Sequence, residues 1–152
     1  MWYTPRPITH ITIYDLIKLS PVLVKFTNEM TTGYNGVYIH NSVFDFDAEH
    51  YIKIDDNLKD YKKIAVLIHE IAHANCDKEN CDCLKNPDRI EREIHAYMYE
   101  LKWLLEHKQK KGLKWVMNKL TYWAKYDSDC YAGAAEYIIK TKLWQKCLDY
   151  VK

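Results

Sequence analysis

The sequence predicts an α+β fold, a small antiparallel sheet near the N-terminus packed on a mainly helical body, and three observations predict it. Two short β-prone runs, Val37-Tyr38-Ile39-His40 and Tyr51-Ile52-Lys53-Ile54, fall in the first half of the chain. Beyond them the apolar residues recur at helical rather than alternating spacing. The length of 152 residues suits one core, so residues 1–152 read as a single domain.

In chain order, residues 8–30 mix Ile, Leu and Val with the helix-start signals Thr12 and Ser20-Pro21, which predicts one or two short helices. The turn signal Gly33-Tyr34-Asn35-Gly36 introduces the first strand, and a polar stretch separates it from the second. Asp55-Asp56-Asn57 offers N-cap side chains to a helix from about Leu58 to about Asn75. Within it, Ile64-Ala65-Val66-Leu67-Ile68 is apolar on every face, which places that helix at the centre. Asn86 as cap and Pro87 at the first position open the next helix, with the stripe Ile90, Ile94, Tyr97, Met98, Leu101 and Leu105, ending near His107. Lys108-Gln109-Lys110-Lys111-Gly112 breaks the pattern. Leu113 to about Tyr126 and Cys130 to about Tyr150 then read as two further amphipathic helices joined at Asp127-Ser128-Asp129.

Composition narrows the function classes. A chain that is 48% hydrophobic and 14% aromatic is not a disordered segment. Its 22 basic and 21 acidic residues nearly cancel, so no global field draws it to nucleic acid or to an anionic membrane. The opening Met1-Trp2-Tyr3-Thr4-Pro5-Arg6-Pro7 lacks the basic and apolar regions of a secretory signal, and no stretch approaches the roughly 18 apolar residues of a membrane span. A soluble cytoplasmic protein is the expectation. Of five cysteines, Cys76, Cys81 and Cys83 crowd together while Cys130 and Cys147 stand apart, a pattern of reduced thiols or metal ligands rather than a disulfide scaffold.

The residues that carry chemistry are His69-Glu70-Ile71-Ala72-His73. Histidines four apart on a helix present their imidazoles on one face, one turn apart, and can share a Zn²⁺. Glu70 falls beside the ion rather than on it, where a carboxylate can take a proton from water that the metal has acidified and later return it to a leaving amine. These polar residues follow an apolar run that demands burial, and buried imidazoles and carboxylates need partners. A hydrogen-bonded histidine pair without metal is the plain alternative.

A zinc hydrolase needs a third protein ligand and an open position for water. Glu91 and Glu93, both on the helix opened by Asn86-Pro87, flank its apolar stripe about equally, so periodicity leaves both open. The sequence resembles the gluzincin metallopeptidases, in which H-E-x-x-H on one helix is completed by a Glu on the next. The spacing from His73 to Glu93 resembles the thermolysin-like members, and Glu93-Ile94-His95-Ala96 looks like the third-ligand helix of the small ImmA/IrrE-type peptidases. The resemblance covers roughly residues 36–105, departs where Tyr97 replaces the Asp or Asn often found four residues after the ligand Glu, and is specific at His69, Glu70 and His73. It implies a zincin-like domain with His69, His73 and Glu93 as Zn²⁺ ligands, Glu70 as general base, and a peptide or protein as substrate.

Other readings stay open at this stage. Cys76 follows His73 by three residues, and with Cys81 and Cys83 it could complete a closed structural site or form a second one. Such a closed site would make the protein a non-catalytic regulator, with Lys108, Lys110, Lys111 and Lys114 near Trp115 and Trp123 as a nucleic-acid contact; near-neutral charge argues against that partner. Tyr97, Tyr99, Tyr126, Tyr131 and Tyr137 include possible oxyanion donors. His10, His40, His50 and His107 read as surface or supporting residues. Oligomeric state is not legible.

Overall fold

A computed structural model describes residues 12–30, 33–39, 50–79, 81, 89–126 and 130–152. Thr12 starts helix α1 (Ile13–Ile17) through a capping box: its hydroxyl accepts from the Asp15 amide, and the Asp15 carboxylate accepts from the Thr12 amide at 2.8 Å. The second expected start, Ser20-Pro21, opens no helix. Ser20 Oγ donates to the Val22 carbonyl, and strand β1 (Leu23–Thr27) follows. Val22, Val24 and Phe26 turn to the core at a period of two, and this alternation outweighs the Ser-Pro signal.

Gly33, at φ 93°, makes the turn that leads into strand β2 (Gly36–Ile39), which pairs antiparallel with strand β3 (Tyr51–Asp55) as expected. His40 lies outside the described residues. The unforeseen β1 adds to the other side of β3 in parallel, Leu23 opposite Tyr51, so the sheet is mixed, in the order β1-β3-β2. Ile52 and Ile54 of the central strand are fully buried.

Helix α2 (Asp60–Lys78) begins later than the Asp55-Asp56-Asn57 signal. Asp55 instead holds a turn, accepting from the Asn57 amide at 3.0 Å, and Asp56 takes Lys63 Nζ at 2.8 Å. From Ile64 to Ala72 every residue of α2 is buried, because the helix packs against α1, β2, β3 and the two helices that follow it. Helix α3 (Ile90–Glu106) lies against it; the predicted cap at Asn86-Pro87 lies outside the described residues. Helix α4 (Lys110–Tyr126) contains Gly112, which the sequence suggests as a breaker. A Cβ there would stand 3.2 Å from the Tyr61 carbonyl, so this glycine serves close approach of α4 to α2.

The last predicted helix is two, α5 (Cys130–Ile138) and α6 (Lys142–Val151). Thr141 divides them: its hydroxyl donates to the Ile138 carbonyl at 2.6 Å and accepts from the Trp144 amide at 3.2 Å, closing one helix and capping the next. Among the described residues no helix is long and apolar enough to cross a membrane.

Candidate metal centre

Burial of the Ile64–Ala72 stretch of α2 carries His69 and Glu70 inside with it, each 8% exposed, and His73 follows one turn later, half-buried. Opposite them, α3 turns Glu93, Tyr97 and Glu100 toward α2, while Glu91 is exposed. The structure therefore brings Glu93, and not Glu91, to the paired histidines.

Three side chains converge through four ligand-type atoms. His69 Nε2 lies 3.2 Å from Glu93 Oε2 and 3.1 Å from His73 Nε2, and His73 Nε2 lies 3.3 Å from Glu93 Oε1. Donors bound tetrahedrally at about 2.0–2.1 Å from one Zn²⁺ sit roughly 3.3 Å apart, so side chains at this spacing could hold a small divalent ion. Behind it, Glu100, only 1% exposed, sets Oε1 3.4 Å from His69 Nδ1, within ion-pair reach but out of line for a hydrogen bond. A carboxylate behind the far nitrogen of a ligating imidazole fixes its tautomer and raises its basicity.

Electrostatics follow from burial. Desolvation alone would lower the His69 pKa, but the Glu100 and Glu93 carboxylates outweigh it and lift the metal-free imidazole to about 10. Burial works to raise the Glu93 carboxyl, yet contacts from His69 and His73 hold it well below the ordinary range. Among the described residues Glu70 has no such close partner, and burial pushes its pKa up against the pull of His69 and His73. Two carboxyls on facing helices are thus shifted in opposite directions, Glu93 toward its ionised form and Glu70 toward its protonated one.

The centre lies in a cleft of about 850 Å³ whose lining includes Gly36, Val37 and Tyr38 of β2, Glu70 of α2 and Lys119 and Trp123 of α4. Tyr38 Oη donates to Asp77 Oδ2 at 2.7 Å and meets His50 Nδ1 at 3.2 Å, tying β2 to the end of α2. Lys119 lies over the Trp115 ring at 3.9 Å and reaches the Trp123 ring at 5.7 Å; burial lowers its pKa, partly opposed by Glu100 and Glu70. Of the five tyrosines, Tyr97 and Tyr131 line the cleft, while Tyr99, Tyr126 and Tyr137 are exposed. Lys108, Lys110, Lys111 and Lys114 are exposed, and Lys119 lies over one face of the Trp115 ring.

The sequence reading missed Glu100 and Lys119. Glu100 sits two turns beyond Glu93 in a stripe otherwise made of Tyr97, Leu101 and Leu104, and an acid on an apolar stripe is the signal that marks it. Cys76 does not join the histidine triangle; with Cys81 it gathers around His95, while Cys83 lies outside the described residues. Comparison with family models, curated proteins and solved structures finds no match to this chain.

Proposed function

We propose that this protein is a Zn²⁺-dependent peptidase, with His69, His73 and Glu93 as metal ligands and Glu70 as general base. The observation that carries the reading is the triangle of two Nε2 atoms and one carboxylate at 3.1–3.3 Å, with His69 and Glu93 buried and His73 half-buried, flanked by a carboxyl that is not part of it. A Zn²⁺ held there supplies Lewis acidity, lowering the pKa of water and polarising a carbonyl oxygen.

The chain's own groups supply the rest. Glu70, one residue after His69, stands about 100° round α2, beside the ligands rather than among them. Its raised pKa suits a group that must accept a proton at its carboxylate and hand it to the leaving amine. Glu93 is held toward its ionised form, and Glu100 stands 3.4 Å behind the far nitrogen of His69, where it can steady the ring electrostatically. Strand β2 supports a peptide rather than a compact small molecule as substrate. Among the described residues it is an edge strand, and it lines the cleft, so it can add an extended peptide as a further strand, whereas β3 is paired on both sides and cannot. The cleft volume of about 850 Å³ is within the range of substrate-sized sites.

The test compares Zn²⁺-loaded wild type with Glu70→Gln on a complex mixture of peptides, reading new N-termini by mass spectrometry. Expected are wild-type cleavages and their loss, by at least about a hundredfold, in a variant that keeps its metal and its melting temperature. Equal cleavage by both proteins removes Glu70 from the reaction.

A further inference from the structure

We infer that Cys76, Cys81 and His95 form a second metal site, a structural one for a thiophilic divalent cation such as Zn²⁺, which staples the C-terminal end of α2 to α3. It uses none of the residues of the proposed peptidase centre and stands independently of that reading.

The geometry begins with the backbone. Cys81 N donates to the Cys76 carbonyl at 2.9 Å, the six-to-one bond of a helix that turns back on itself, with Glu79 as the C-cap. That bond folds the chain so that Cys81 returns against Cys76, the residue three before the cap. Both are thiols rather than a disulfide. From the facing helix, His95 Nδ1 comes to 3.1 Å from Cys76 Sγ and 3.4 Å from Cys81 Sγ, and the three donor atoms lie within 4.8 Å of one another. Sulfur and nitrogen donors at about 2.3 and 2.0–2.1 Å on one tetrahedral ion stand roughly 3.6 Å apart, so an ion would part these atoms by only a few tenths of an ångström. Two thiolates and one imidazole select a soft or borderline cation over Mg²⁺ or Ca²⁺. Three protein donors leave the fourth position to one more ligand.

Placement gives the site its consequence. Cys76 is three residues beyond His73 on α2, and His95 is two beyond Glu93 on α3. The staple therefore joins the two helices next to where the histidine triangle takes its ligands, and holds Glu93 in register with His69 and His73.

The experiment loads the reduced full chain with Co²⁺ alone and reads metal content and near-ultraviolet absorption. Expected are two ions per chain with a thiolate-to-cobalt charge-transfer band. Cys76→Ser and Cys81→Ser each lose the band and one ion, His95→Ala needs at least tenfold more Co²⁺ to reach it, and His69→Ala loses the other ion while keeping the band. Absence of the band in wild type at saturating Co²⁺, or its survival in both serine variants, overturns the assignment. Should a serine variant lose its helical circular dichroism, wild type decides alone. Zn²⁺ must slow alkylation of Cys81 in a peptide map, and an unchanged rate overturns the site.

Discussion

Replacing Glu93 by Gln is the sharpest perturbation of the candidate centre, because three carboxylates on one helix are predicted to differ in a fixed order. Glu93 contributes oxygens 3.2 and 3.3 Å from the two imidazole nitrogens. Glu100 reaches the far nitrogen of His69, at 3.4 Å, rather than its ligand-side nitrogen, and Glu91 is exposed. Loss of a group behind a ligand typically costs about 10–100-fold in metal affinity, or roughly 1.4–2.7 kcal/mol, which sets the expectation for Glu100→Gln. Glu93→Gln removes both a ligand and its charge, so it should exceed about a hundredfold. Glu91→Gln removes a screened surface charge and should change affinity by less than about fivefold. Competition with a chromophoric chelator measures all three, with circular dichroism confirming the fold. Should Glu91→Gln cost more than Glu93→Gln, the register of α3 on the site is wrong; should none of the three matter, the triangle is not a metal site.

The remaining expectations concern proton linkage and packing. A proton and a metal compete for His69 Nε2, and with the metal-free imidazole at about 10, binding at pH 7 must release that proton. Apparent affinity should then climb about tenfold per pH unit well above the ordinary histidine pKa of about 6.5, and calorimetry in buffers of different protonation enthalpy should give different heats; equal heats refute it. Gly36→Ala places a Cβ 2.9 Å from Ile54 Cδ1 and against Val66, an overpacking cost of about 1–3 kcal/mol that should lower Tm by several degrees. An unchanged Tm would mean that β2 does not press on α2 as described. Thr141→Ala removes the cap on Trp144 and should lower stability by about 1 kcal/mol, seen as a shift in urea midpoint and absent if α5 and α6 are one helix.

What the sequence made legible was whatever local pattern and local chemistry enforce. The apolar run Ile64–Ile68 announced a central helix, and the four-residue spacing of His69 and His73 placed both on one face of it. Strand β1 was not legible, because five residues show too few periods to be read as a strand from sequence and its pairing with β3 is decided far along the chain. The choice between Glu91 and Glu93 needed the rotation of α3 against α2, a tertiary quantity that a single helix pattern does not contain. Glu100 was overlooked for the opposite reason: its position on the stripe was plain, but an acid there has meaning only once His69 faces it. His95 joins the cysteines through the same packing of the two helices.

The strand order bears on how the chain assembles. The central strand is the last of the three in sequence, so until Tyr51–Asp55 has been made neither Leu23–Thr27 nor Gly36–Ile39 has its partner. The two edges must wait as extended, unpaired segments and then close on both sides of one newcomer, one of them across a loop spanning Leu23 to Tyr51. Because α2 follows β3 after a short turn and buries the same face, the sheet and its covering helix should form together, as the slow non-local step of folding. A nascent chain interrupted before residue 51 would carry two strands with nothing between them, an arrangement prone to pair with other chains instead.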